Sequence, residues 1–272
     1  GSVTTPPPGR PAGAGRATRV VATIVMSLTA TALAIPLVGL VVRSFSGVNG
    51  PTFEWYRRMV VEPDPGLDLV AATGLSLRYA IVATVMAAMV GATAAVVATR
   101  AGRAGQRFDT LVMLPLGASA VTVGLGFLLA LDRPIDLRGS WLIVPLAHAL
   151  VATPFVVRAV APTLASISEE TRDAALTLGA TRNRLLTTVD WPLARRSLFV
   201  GAGFAFALSL GEFGATVFVA RPADPTLPIL VFRALGRPGS GGTAAAAAVV
   251  LMVVTGVAVL LVDRFRTGKE AL

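Results

Sequence analysis

Six stretches of the chain run apolar for twenty residues or more, each with at most one charged side chain: 20–42, 77–99, 111–131, 141–162, 198–219 and 243–262. At about 1.5 Å of rise per helical residue, each can cross the roughly 30 Å of a bilayer's hydrocarbon. The apolar character is continuous, so these are helices; barrel strands would be about ten residues long and would alternate apolar with polar. The pattern predicts an all-α integral membrane protein with six transmembrane helices, from residue 20 to the end of the chain. Pro36, Pro115, Pro145 and Pro154 fall in or near these helices, where neighbouring helices can satisfy the carbonyls they free. Gly117, Gly124, Gly126, Gly201 and Gly203 read as helix-packing faces.

The connecting segments carry a second layer of pattern. Phe53, Tyr56, Met59 and Val60 recur at helical spacing in TFEWYRRMVV, which reads as a short helix along the outer rim. Residues 1–19, with Pro6-Pro7-Pro8 and scattered Gly and Arg, read as a disordered tail or linker, and an opening Gly1-Ser2 without methionine reads as a piece cut from a longer chain. Arginines followed by an apolar run and Ala32-Leu33-Ala34 imitate a secretory signal, but the run continues to Val42, too far for a signal core. Between the fourth and fifth stretches lies the longest connection, 164–197. There Ser166 with Glu169 forms a capping box, and Glu169, Glu170 and Asp173 suit a helix N-terminus. Gly179 is placed to close that helix in a left-handed turn. A second short helix follows from Thr181 to about Val189, before Pro192 restarts the chain toward the membrane.

Charge fixes a topology. Three arginines in the tail, three after the second stretch, six from Arg158 to Arg196 and three basic residues at the chain's end share one side, fifteen of the 24 in all. The positive-inside rule places that side, with both termini, in the cytoplasm. The net charge of +9 is therefore topological: the arginines are parcelled between spans, not gathered on one face that could bind nucleic acid. Trp55, Trp141 and Trp191 fall at predicted span edges or in connecting segments, where indole rings favour the headgroup layer.

Composition narrows the chemistry. Apolar residues make up 54% of the chain and charged ones 14%, with a mean hydropathy of +0.73, where soluble domains carry about 25% charged residues. With no cysteine there is no disulfide, thiol nucleophile or cysteine-ligated metal site, and a lone His148 leaves no histidine cluster for a metal. No GxxxxGK[ST] occurs, and no catalytic constellation stands out.

RDAALTLGATRNRLLTTVDWP resembles the EAA signature of ABC-importer permeases: Glu-Ala-Ala, three residues, Gly, nine residues, Ile, one residue, Leu-Pro. Asp173-Ala174-Ala175, Gly179, Val189 and Pro192 fall at the matching positions, with Asp173 for the usual glutamate and Trp191 for the usual leucine. TPFVVRAVAPTLASISEE and SLRYAIVATVMAAMVGATAAVVATR are also similar to the family, and the likeness covers roughly 53–265. The resemblance implies a type I importer permease in a bacterial-type inner membrane, with a cytoplasmic coupling helix between helices 4 and 5. Glu170, Arg172, Asp173, Ala174, Ala175, Gly179, Arg182 and Pro192 would then meet an ABC ATPase dimer, which holds the ATP and Mg. It further implies a second permease half, as a homodimer or a fused domain, and an extracytoplasmic substrate-binding protein.

Glu212 is the acidic residue well inside a predicted span. It sits in GEFGAT with Gly211, Phe213 and Gly214, and such a carboxylate defaults to a pathway or gate residue. Ligand contact and gate packing both stay open for it, the latter through pairing with an arginine. GEFGAT and the following TLPILVFRALGRPG resemble permeases for iron(III), thiamine and oxyanions, with iron(III) or thiamine preferred. His148 reads as a hydrogen-bonded packing residue rather than a metal ligand. An ion-coupled secondary transporter is the alternative, disfavoured because it would bury several ionisable groups. A membrane hydrolase is disfavoured because the one histidine has no serine or acidic partner at helix spacing.

Overall fold

The computed structural model describes residues 15–61, 63–131 and 139–267, so the tail's first fourteen residues lie outside the described part. Twelve helices run in chain order: α1 (Arg16–Ser44), α2 (Glu54–Val61), α3 (Leu69–Arg100), α4 (Gly102–Gly117), α5 (Ala120–Ala130), α6 (Ile143–Ser166), α7 (Glu169–Thr177), α8 (Arg182–Leu185), α9 (Trp191–Gly211), α10 (Thr216–Val219), α11 (Leu227–Leu235) and α12 (Gly241–Thr267). Among the described residues five helical stretches are long and apolar enough to cross a membrane, or six if the bent pair α4 with α5 is one span.

The core is the bundle of α3, α6 and α9. Its buried residues are mostly small or β-branched: Ala83, Ala87, Ala94 and Ala95 from α3, Ala152, Val156, Val157 and Val160 from α6, Ala194 and Ala205 from α9, with Leu164 the large exception. Small side chains let helix backbones approach closely where lipid supplies no hydrophobic drive between helices. Val156 marks a close three-helix crossing. A methyl group on Gly91 of α3 would lie 2.7 Å from its side chain, and one on Gly201 of α9 would lie 3.1 Å from its Cα. Among the glycines expected to pack, Gly124, Gly201 and Gly203 do so, whereas Gly117 and Gly126 have open space beside them.

α1 lies against α12 with none of its apolar window buried. α2 covers one end of the bundle: Met59 is buried with Leu67, Leu227 and Leu230, and Trp55 packs flat over Gly242. Phe53 and Val60, which share that spacing, are exposed.

Two of the predicted spans are broken. The third bends by 103° between α4 and α5, where Ala118 and Ser119 are extended and the Ser119 hydroxyl accepts from the Val121 N–H. The fifth ends as a helix at Gly211, eight residues before its predicted limit, so Glu212 follows the helix rather than lying within it. Hydropathy marked both correctly as apolar; it has no means of locating a bend, which depends on what the freed backbone groups can bond to.

Candidate functional site

Two places in the fold concentrate polar chemistry. The first is the α7–α8 hairpin, which leaves the bundle after α6. Ser168, not Ser166, caps α7: its hydroxyl accepts from the Thr171 N–H at 3.3 Å, while Ser166 is the last residue of α6 and donates to the Thr163 carbonyl. The other end closes as anticipated. Gly179 has φ +84°, the Ala180 N–H reaches the Ala175 carbonyl at 3.0 Å and the Gly179 N–H reaches Leu176 at 2.9 Å. This pair of bonds is a complete Schellman turn, and its left-handed residue favours glycine.

After α8 the chain does not restart at Pro192. A π-helical turn, Leu186–Asp190, carries the helix straight into α9, with the Trp191 N–H bonding to the Leu186 carbonyl. Pro192 has no N–H to give the preceding turn and its ring crowds it, and one wide turn relieves both problems.

The hairpin's surface is exposed. Glu170, Asp173, Ala174 and Gly179 face outward, and Leu178 at the tip is 90% exposed. Pro192 is also exposed, Ala175 is half-buried and Arg182 opens α8. Arg172 does something different: it turns inward. Its guanidinium donates to the Leu164 carbonyl at 2.8 Å, an end-of-helix acceptor of α6, and pairs through Nε with Asp190 at 3.4 Å. Asp190 also pairs with Arg100, the last residue of α3. Its side chain is 2% exposed, so one buried carboxylate ties α3, the π turn and α7 together. The residue pattern missed this, because Asp190 occupies the one free position between Val189 and Trp191 in the signature.

The second place is the break after α9. Glu212 Oε1 accepts from the Ala215 N–H at 2.8 Å, and the Glu212 carbonyl accepts from the Thr216 hydroxyl at 2.8 Å. The carboxylate therefore serves the turn itself; no cation among the described residues pairs with it, contrary to the arginine partner considered from the sequence. Phe213 stacks against Phe232 of α11, with ring centroids 5.2 Å apart. Gly214 and Ala215 abut the start of α5: a methyl on Gly214 would lie 3.0 Å from Ala120, and one on Gly124 would lie 2.6 Å from Ala215. Gly211 has open space. The two breaks are thus packed on each other.

His148 of α6 sits beside this turn, 1% exposed. Its Nδ1 meets the Ser209 hydroxyl and its Nε2 the Thr216 hydroxyl, both at 2.7 Å. The histidine does have a serine partner, supplied by another helix. That pair is no hydrolytic centre: Ser209 is itself buried, and the second nitrogen is held by a threonine rather than a carboxylate. Among the described residues no cluster of three potential metal ligands occurs.

Residues 93–268 match the family of binding-protein-dependent transport system inner membrane components. The putrescine transport system permease protein PotI of Escherichia coli strain K12 is 31% identical over 227 residues, 78% of this chain and 79% of that protein. The sulfate transport system permease protein CysT of Salmonella typhimurium strain LT2 is 32% identical over 214 residues, 74% and 76% of the two chains. In fold, the chain is similar to one from the crystal structure of a bacterial alginate ABC transporter in complex with its pentasaccharide-bound periplasmic protein. The TM-score is 0.74 at 16% identity, covering 91% of this chain and 95% of that one. A helical bundle with an exposed EAA hairpin, matched over most of its length by transport permeases, belongs to the binding-protein-dependent inner-membrane components, the permeases of ABC importers.

Proposed function

We propose that this chain is the pathway-forming subunit of an importer driven by a separate ABC ATPase dimer, with ATP and Mg bound on that partner. The observation that carries this reading is the α7–α8 hairpin: a short exposed helix closed by a left-handed glycine and anchored at its root by a buried ion cluster. It has the form of a coupling helix, a rigid knob that can seat in another protein and pull on the bundle. Glu170, Asp173, Ala174 and the Leu178 tip form the contact face; Arg172 acts from inside, holding the knob to α6 and α3.

The distribution of basic residues supports a cytoplasmic side for this hairpin and both termini. The opposite end would receive an extracytoplasmic binding protein, and a second permease half, identical or fused, would complete the pathway. Solute would pass at the break Gly211, Glu212, Phe213 and Gly214. Relatives named for putrescine and for sulfate support a small charged cargo of that size rather than iron(III) or thiamine.

The test is Gly179→Val, with Gly179→Asn beside it, in proteoliposomes holding the full complex. A β-branched residue at φ +84° costs about 1–3 kcal/mol, whereas asparagine tolerates that region. ATP-driven uptake of labelled putrescine or sulfate should fall about tenfold or more for valine and survive in part for asparagine. Uptake that persists without ATP and collapses with an ion gradient would establish the secondary-transporter alternative instead.

A further inference from the structure

α6 touches both polar places. At one end the Leu164 carbonyl holds Arg172 of the hairpin. At the other, sixteen residues or about 24 Å away along the helix, His148 holds the break in the fifth span. Between them α6 is the most enclosed of the apolar helices, with two-thirds of its window buried, and Val156 is seated between Gly91 and Gly201. It is one continuous helix between the two places, with Pro154 and Pro162 inside it.

The imidazole's two partners lie on opposite sides of the break: Ser209 precedes it on α9 and Thr216 follows it on α10. With a neutral ring, one arrangement of protons satisfies every contact. Thr216 gives its proton to the Glu212 carbonyl, so it must accept from Nε2–H, and Nδ1 then accepts from the Ser209 hydroxyl. The chain of bonds runs one way, from Ser209 through His148 and Thr216 to the Glu212 backbone. The Glu212 carboxylate and packing on α5 already hold the turn locally; among the described residues the imidazole alone bonds to both sides of the break from a third helix.

We propose that His148 is the positioning residue that makes the broken span move with α6, so that displacement of the α7–α8 hairpin reaches the Glu212 turn. This rests on the coupling role given to that hairpin above. Nothing about it requires His148 to touch solute. Its role is mechanical, and it predicts that the hairpin and the turn separate in behaviour once the imidazole link is cut.

The chain contains no cysteine, so introduced pairs can be spin-labelled with no background from this subunit. One pair reports the hairpin, from exposed Leu178 to exposed Phe53; a second reports the break, from Val217 to Phe53. Distances are measured in the full complex without nucleotide and with vanadate-trapped ATP. In the unaltered chain both pairs shift. In Thr216→Val and Ser209→Ala, which keep the fold's shape, the hairpin pair still shifts. The shifted population at the break falls roughly tenfold, the scale of one lost buried hydrogen bond. Thr216→Ser, which keeps the hydroxyl, restores it. His148→Ala should match Thr216→Val, and combining the two should add little. An unchanged shift at the break in Thr216→Val and Ser209→Ala overturns the role of His148 while leaving the hairpin's intact. No shift of the hairpin pair in the unaltered chain overturns the coupling role, and this inference with it.

Discussion

Replacing Asp190 by asparagine removes one charge and almost no volume, and the fold says what should follow. The Asp190 side chain is 2% exposed, while its partners Arg100 and Arg172 are 26% and 20% exposed. Breaking one side of a fully buried ion pair costs roughly 3–5 kcal/mol, and an exposed pair is worth at most about 1 kcal/mol. With the anion enclosed and both cations partly solvated, about 2–3 kcal/mol is expected. Much of it comes from leaving two guanidinium groups facing each other across a neutral amide. α7 itself buries none of its residues, so Arg172 is its main tie to the bundle and the loss should appear there first. At about 1.4 kcal/mol per factor of ten, the hairpin's undocked population rises roughly 30- to 140-fold. Amide hydrogen exchange over 169–177 in nanodiscs reads that number directly. Arg100→Gln in the Asp190→Asn background should recover part of the loss, because it removes the cation left facing Arg172. Exchange that stays unchanged in Asp190→Asn, or two substitutions whose effects simply add, would refute the ion-cluster argument.

Two further outcomes follow from packing and capping. Gly91→Ala puts a methyl 2.7 Å from Val156 and should lower stability by about 1–3 kcal/mol. Gly74→Ala on the same helix meets open space and should be neutral or gain up to about 1 kcal/mol; thermal unfolding in detergent compares the pair. Ser168→Ala removes the α7 cap and should cost about 1 kcal/mol, seen as roughly fivefold faster amide exchange at 169–171 with α9 unaffected.

What could be read from the chain was whatever depends on local period or turn chemistry. Runs of apolar residues marked the spans, and Gly179 marked a left-handed turn because few other residues take that φ cheaply. The hairpin's cap was misplaced by two residues: Ser166 and Ser168 both precede acidic residues, and which of them ends α6 depends on how far that helix stays buried. Asp190 was invisible for a different reason. Its partners are 90 and 18 residues away in sequence, and no helical or strand period relates such positions. His148 was seen as a packing residue, but its partners, 61 and 68 residues distant, could not be chosen.

The two broken spans show why such distant pairings matter to function. An interrupted helix in lipid exposes N–H and C=O groups that nothing around it can bond. Here the Ser119 hydroxyl serves the Val121 N–H, the Glu212 carboxylate serves the Ala215 N–H, and the Thr216 hydroxyl serves the Glu212 carbonyl. Gly124 and Gly214 then let the two breaks press together, so each shields the other. The consequence is one spot where backbone polar groups, a carboxylate and a hydrogen-bonded imidazole gather inside an otherwise apolar bundle. A charged solute crossing the protein would meet its least unfavourable surroundings there. The residues that make the breaks tolerable are thus the ones that the proposed pathway would use.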